Sequence, residues 1–178
     1  MASEIKANTY NDFNSNPVIV SDGSGNVTIG SSGKTITAVG SGLANTPAFY
    51  AKTAAGQSIS NATHTQIVFD TEVFDTDSAY ASNTFTCPSG KAGKYFFFAQ
   101  TGKQGWASNR FLIYLSKNGA DASAAEGTSA GSYYPTTSTT AVIELSAGDT
   151  VKASIYQDGG TQTLSVGDRT TFYGYKLI

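Results

Sequence analysis

The chain is predicted to be all-β, a two-sheet antiparallel sandwich or jelly roll preceded by a β-rich arm, and three observations predict it. From Pro47 onward, short apolar runs of strand length recur with turn residues between them and no helical period. Ser, Thr and Gly supply roughly a third of the chain while charged residues supply 13%, a balance suited to many strands joined by tight polar turns. The third is the run Lys94-Tyr95-Phe96-Phe97-Phe98-Ala99. Alternation along a strand turns Tyr95 and Phe97 to one face and Phe96 and Phe98 to the other, so both faces are apolar.

The first 45 residues form the arm. Its apolar clusters are brief: Val18-Ile19-Val20, Val27 to Ile29, and Ile36 to Val39, divided by Asp22-Gly23, Gly25-Asn26, Gly30 and Gly33. Strands this short do not bury a core alone. Segments 21–30 and 31–40 look like two copies of one strand-and-turn unit. The expectation is an attachment arm or short β stalk, wrapped with other copies or laid on another protein, with Val18, Ile19, Val20, Val27 and Ile29 making the attachment.

Residues 46–178 form a knob. Its candidate strands are 48–52, 66–72, 84–86, 93–101, 110–117, 140–145, 150–157, 162–166 and 172–178. Ser89-Gly90, Asn118-Gly119, Ala147-Gly148-Asp149, Asp158-Gly159-Gly160 and Gly167-Asp168 punctuate them. Segment 120–130 is rich in Ala, but its Gly, Ser and Asp content predicts a loop.

Two more strands are apolar on both alternations: 110–115, with Phe111 and Ile113, and 172–178, with Phe172, Tyr173 and Tyr175. Segments 140–145 and 150–157 come closer to one-sided alternation. One sheet is therefore expected to be apolar on both faces and the other on one. The first sheet's outer face should lie against symmetry mates, with Tyr95, Phe96, Phe97, Phe98, Phe111, Ile113, Phe172, Tyr173 and Tyr175 as the candidate interface set.

The strand order and turn residues resemble the C1q/TNF-like jelly roll from Pro47 to the C-terminus. The resemblance rests on Ala48-Phe49, Val68-Phe69-Asp70, Tyr80 ahead of Phe85-Thr86-Cys87-Pro88, and Gly93-Lys94-Tyr95-Phe96-Phe97. It continues through Leu115-Ser116-Lys117-Asn118-Gly119, Leu145-Ser146-Ala147-Gly148-Asp149-Thr150-Val151 and Phe172-Tyr173-Gly174-Tyr175-Lys176-Leu177. It implies a compact homotrimer, with Gly174 marking close approach of another backbone at the threefold axis. Residues 1–46 contain no collagen-like Gly-X-Y run, so a stalk of that kind is not expected there. The arm is instead similar to the Gly-rich β units of bacteriophage virion proteins, as is the opening Met-Ala-Ser-Glu-Ile-Lys.

Chemistry is sparse. The net charge of −2 and scattered basic residues exclude a nucleic-acid footprint. Cys87 is the single cysteine, read as a small core residue, and no intrachain disulfide forms. The N-terminus lacks a secretory h-region and no stretch spans a bilayer, so the chain is expected to be made in cytoplasm, without membrane insertion. The Asn26 and Asn61 glycosylation patterns then read as chance matches. His64, the only histidine, reads as a solvated loop residue. Asp70, Glu72, Asp75 and Asp77 form one acidic cluster, read as turn carboxylates rather than a calcium site or glycosidase pair. No phosphate-binding loop is present and no cofactor or metal is expected.

What remains is recognition. Trp106, in loop 102–109, and Tyr133 and Tyr134, in loop 118–139, are candidate receptor contacts because aromatics give large contact area at low entropy cost. The alternative is that they cap the barrel or seal the trimer. The expected protein is a non-enzymatic homotrimeric virion protein at the virion surface, a short tail fibre or adhesin meeting a host-surface glycan or protein. Its rival is a capsid decoration protein, and a polysaccharide hydrolase is more distant. Either structural role makes a second virion protein the partner of the arm.

Overall fold

The computed structural model describes residues 9–11, 17–21, 27–29, 45–103, 110–128 and 135–178. The chain divides into two units, Met1–Ala44 and Asn45–Ile178. In the first, β1 (Thr9–Asn11), β2 (Pro17–Ser21) and β3 (Val27–Ile29) pair antiparallel in that order. Ile19 lies in register with Tyr10 on one side and Ile29 on the other.

The second unit is a sandwich. Its strands are β4 (Ala48–Thr53), β5 (Ser58–Ile59), β6 (Thr65–Gln66), β7 (Thr71–Asp75), β8 (Tyr80–Ala81) and β9 (Thr84–Thr86). They continue with β10 (Gly93–Gly102), β11 (Arg110–Lys117), β12 (Ala120–Thr128), β13 (Thr136–Leu145), β14 (Thr150–Gln157), β15 (Gln162–Thr163) and β16 (Gly167–Lys176). One sheet runs β13-β10-β16-β4-β7, and the other β12-β11-β14-β9-β8 with β6 also on β14. The pairs are antiparallel throughout. The all-β, two-sheet jelly-roll expectation holds.

Alternation fills the space between the sheets. Tyr95, Phe97 and Ala99 of β10, Phe49 and Ala51 of β4, and Phe172 of β16 point inward from the first sheet. Phe85, Phe111, Ile113, Leu115, Val151 and Ile155 meet them from the second. Phe49 is the hub, stacked on Tyr80 at 4.9 Å and edge-on to Phe172 at 4.8 Å between ring centroids. Each such side chain contributes roughly 1.5–3 kcal/mol by burial. Cys87 is buried as a small core residue, 3.7 Å from the Tyr95 hydroxyl.

Several sequence expectations need correction. Segment 120–128 is a strand, not a loop. Asn118 (φ 50°) and Gly119 (φ 86°) form a two-residue turn that lays β12 back on β11, Lys117 opposite Ala120. Its small residues are required by packing: a Cβ at Gly127 would stand 2.6 Å from Phe111 Cζ. The expected strand 66–72 divides instead, because the chain changes sheets there. β6 pairs with β14, β7 pairs with β4, and between them Ile67 and Phe69 enter the core. Side chains replace the lost ladder, with Val68 N donating to Gln57 Oε1 (2.9 Å) and Phe69 N to Asn83 Oδ1 (2.8 Å). Strand 162–166 keeps only β15, whose continuation is used by Ser165 N donating to Gly102 O. The grouping of strands into sheets also differs: β11 lies opposite the aromatic strand β10, while β13, read as one-sided, is its direct neighbour.

Candidate functional site

The outer face of the five-stranded sheet carries Tyr50, Phe74, Phe96, Phe98, Tyr173 and Tyr175, and the ladder dictates its layout. Phe98 on β10 is in register with Thr140 on one side and Tyr173 on the other. Tyr173 is in register with Tyr50, and Tyr50 with Phe74. One row of cross-strand partners therefore crosses all five strands. A second row runs Val142, Phe96, Tyr175, Ala48. Cross-strand aromatic pairs stabilise a sheet by up to ~1 kcal/mol each.

The rings are ordered against one another. Phe98 stacks on Tyr173 at 4.8 Å with 18° between planes, and Tyr50 meets Tyr173 edge-on at 6.0 Å. Phe96 and Tyr175 lie 5.4 Å apart. Between Tyr50, Phe74, Tyr173 and Tyr175 runs a groove of about 370 Å³. Its polar end is set by Gln100 and by Asp168, which pairs with Lys52 at 3.2 Å. At the other extreme Val142 is 63% exposed and Phe74 47%, on the two edge strands. A contiguous apolar face of this kind marks an interaction surface.

Of the nine residues named from sequence as the interface set, four are on this face. Phe96, Phe98, Tyr173 and Tyr175 are there. Tyr95, Phe97, Phe111, Ile113 and Phe172 are wholly buried in the protomer's own core, with no surface left to meet a second copy. The same is true of Gly174, expected at a threefold axis: a Cβ there would stand 2.5 Å from Phe97 Cδ1 and 2.9 Å from Phe96 O. Its close approach is internal. Tyr50, Phe74 and Val142 were missed, although the alternation around buried Phe49 already turns Tyr50 outward.

Trp106, Tyr133 and Tyr134 lie outside the described residues. Val18, Ile19 and Val20 fall on β2, and Val27 and Ile29 on β3.

Of the acidic cluster, Asp75 and Asp77 are engaged at the 75–80 turn, Asp70 holds a distant backbone amide, and Glu72 is exposed on β7. Asp75 Oδ2 accepts from Tyr80 N (2.7 Å) and its Oδ1 from Asp77 N (3.3 Å); Asp77 pairs with Lys91 at 3.4 Å. Asp70 Oδ1 accepts from Ala54 N at 2.5 Å. Burial, then Glu72 and Asp70, push the Tyr80 phenol well above its ordinary pKa. Among the described residues, no three His, Cys, Asp or Glu side chains converge as metal ligands. His64 is exposed and packs on the outer face of the second sheet, 4.7 Å from the Tyr114 ring and 5.3 Å from Tyr156.

A family profile described as the C1q domain matches residues 48–177. The chain belongs to the C1q domain family. Among solved structures it is similar to the globular domain of zebrafish complement 1qA protein, at 17% identity and a TM-score of 0.52 over 74% of this chain and 98% of that one. It is also similar to murine APRIL in a crystal structure at pH 5.0, at 13% identity and a TM-score of 0.55, over 73% of this chain and 98% of that one. No match is found among curated protein sequences. The C1q-like part is thus the knob, and the likeness to both structures is one of fold.

Proposed function

We propose that the protein is a homotrimeric, non-enzymatic recognition head, with three C1q-like knobs closing on the outer face of the five-stranded sheet. The observation that carries this is the row Phe98, Tyr173, Tyr50 and Phe74, continuous over four of the sheet's five strands. C1q/TNF-like domains form homotrimers and are typically non-enzymatic. Burying such a face in the heterologous contacts of a closed threefold ring removes the aromatic area from water at ~25 cal/mol per Å².

In the finer reading the trimer is displayed on a bacteriophage virion as a short tail fibre or adhesin. The arm, through Val18, Ile19, Val20, Val27 and Ile29, holds another virion protein, and Trp106, Tyr133 and Tyr134 meet a host-surface glycan or protein. Support comes from the Gly-rich strand units of the arm and from aromatics in segments 104–109 and 129–134, between the strands of a rigid scaffold. The test is binding of purified protein to intact host cells. The adhesin reading expects binding that is lost in Trp106→Ala or Tyr133→Ala. Virions that carry many copies and break under heat or osmotic shock without the protein overturn it in favour of capsid decoration.

A further inference from the structure

The turn that joins β11 to β12 is the dipeptide Asn118-Gly119, exposed at the end of the sandwich. Asn followed by Gly is the sequence most prone to spontaneous deamidation, because glycine leaves its own amide nitrogen unhindered. In that reaction the Gly119 nitrogen attacks Asn118 Cγ and a C–N bond closes a five-membered succinimide. The Gly119 amide proton is lost and Nδ2 leaves as ammonia. Water then opens the ring at either carbonyl, giving aspartate or isoaspartate. The sum is hydrolysis of an amide, with no oxidant or reductant.

The fold holds the Asn118 side chain by both ends. Nδ2 donates to Asp149 Oδ1 at 2.7 Å, while Oδ1 accepts from Thr150 N at 2.8 Å and Thr150 Oγ1 at 3.3 Å. Asp149 is itself fixed: its Oδ2 accepts from Ser146 N at 2.8 Å and lies 2.9 Å from Lys117 Nζ. Asn118 N also donates to Thr150 O. Cyclisation requires the carboxamide to swing from β14 toward the Gly119 nitrogen, which breaks these bonds together.

We propose that Asn118 is a deamidation site held in check by Asp149 and Thr150, so that the clamp sets the chemical lifetime of the hairpin. The product would be self-propagating damage. A carboxylate in place of the amide loses the donor to Asp149 and sets like charges at hydrogen-bond distance, and an isoaspartate adds a backbone atom that changes the geometry of the two-residue turn.

The experiment follows deamidation at residue 118 by peptide mass spectrometry during incubation of the intact protein in mildly alkaline buffer. The arms are native protein, Asp149→Ala, Lys117→Ala, and native protein unfolded in urea. A charge-assisted hydrogen bond is worth ~1.5–3 kcal/mol, so Asp149→Ala should deamidate about tenfold faster or more. Lys117→Ala, which removes a partner of Asp149 but leaves the clamp on Asn118, should stay near the native rate. The unfolded chain should be fastest. Equal rates in native and unfolded protein overturn the proposal, as does Asp149→Ala at or below the native rate. So does equal acceleration in Lys117→Ala, which would assign the effect to stability alone.

Discussion

Phe97 lays its ring over Gly174, its direct cross-strand partner, closely enough that a Cβ on Gly174 would stand 2.5 Å from Phe97 Cδ1. The glycine is the recess that lets a large ring lie flat between β10 and β16, and the ring in turn covers backbone that glycine leaves bare. On the opposite face of the same two strands, Phe98 stacks on Tyr173. The pair of strands thus carries two aromatic layers with separate work: one closes the protomer, the other faces outward.

Gly174→Ala should therefore cost stability without touching the outer face. Forcing the ring aside in a packed core costs ~1–3 kcal/mol. The check is urea unfolding, where the midpoint should fall with an unchanged slope. An unchanged midpoint would mean that the ring has room to move.

Phe97→Ser and Phe98→Ser make the same chemical change one residue apart and should behave oppositely. Phe97→Ser empties a buried site, at ~3–5 kcal/mol by analogy with Phe→Ala, and should unfold or strongly destabilise the knob. Phe98→Ser should leave thermal unfolding of the separated protomer near the native value while weakening self-association. Circular dichroism melts read the first effect and light scattering the second.

How much of this was legible in the sequence follows from the ladder. Strand existence was readable wherever alternation and turn residues agreed, as at β4, β10, β11, β14 and β16. β12 was hidden because its inward positions Ser123, Ala125 and Gly127 are small, Gly127 for the sake of the Phe111 ring, and smallness reads as loop. The interface face was only half legible. Period-2 alternation separates Phe96 and Phe98 from Tyr95 and Phe97, but which set turns inward depends on tertiary neighbours, Phe49 and Phe172 on the same sheet and Phe85 on the sheet opposite. Sheet membership of β11 and β13 was not readable at all from one-dimensional hydrophobicity, since both outer faces of the sandwich carry aromatics.

Asp149 gives an acid limb. The side-chain bond from Asn118, then those from Lys117 and the Ser146 backbone, lower its pKa from 3.8 to about 2. A depressed carboxylate contributes stability that is present above the unfolded value and is lost as pH falls through the folded one. Native stability should thus decline between about pH 4 and pH 2 more steeply than that of Asp149→Asn. Parallel declines in the two proteins would remove Asp149 from the acid response.

Lys103 gives an alkaline limb of the opposite kind. Its side chain is fully buried, with Nζ 3.7 Å from the Phe111 ring centroid, and burial lowers its pKa from 10.5 to about 8 against a partial opposing pull from Asp158. Below pH 8 both folded and unfolded chains are protonated and the fold bears the full cost of a buried cation. Between pH 8 and 10.5 the unfolded chain binds more protons, so this site's contribution to stability rises with pH. Measured by urea unfolding, native protein should gain on Lys103→Met by ~2–3 kcal/mol across that window. A constant difference between the two would contradict the assignment.

The central claim is that the outer aromatic face closes a trimer, and the mass of the intact protein by sedimentation equilibrium tests it most directly. The native protein should sediment at three times the chain mass, and should dissociate toward single chains, still folded, when Phe98 and Tyr173 are both changed to Ser. A native protein that sediments at the mass of one chain over micromolar concentrations would contradict it.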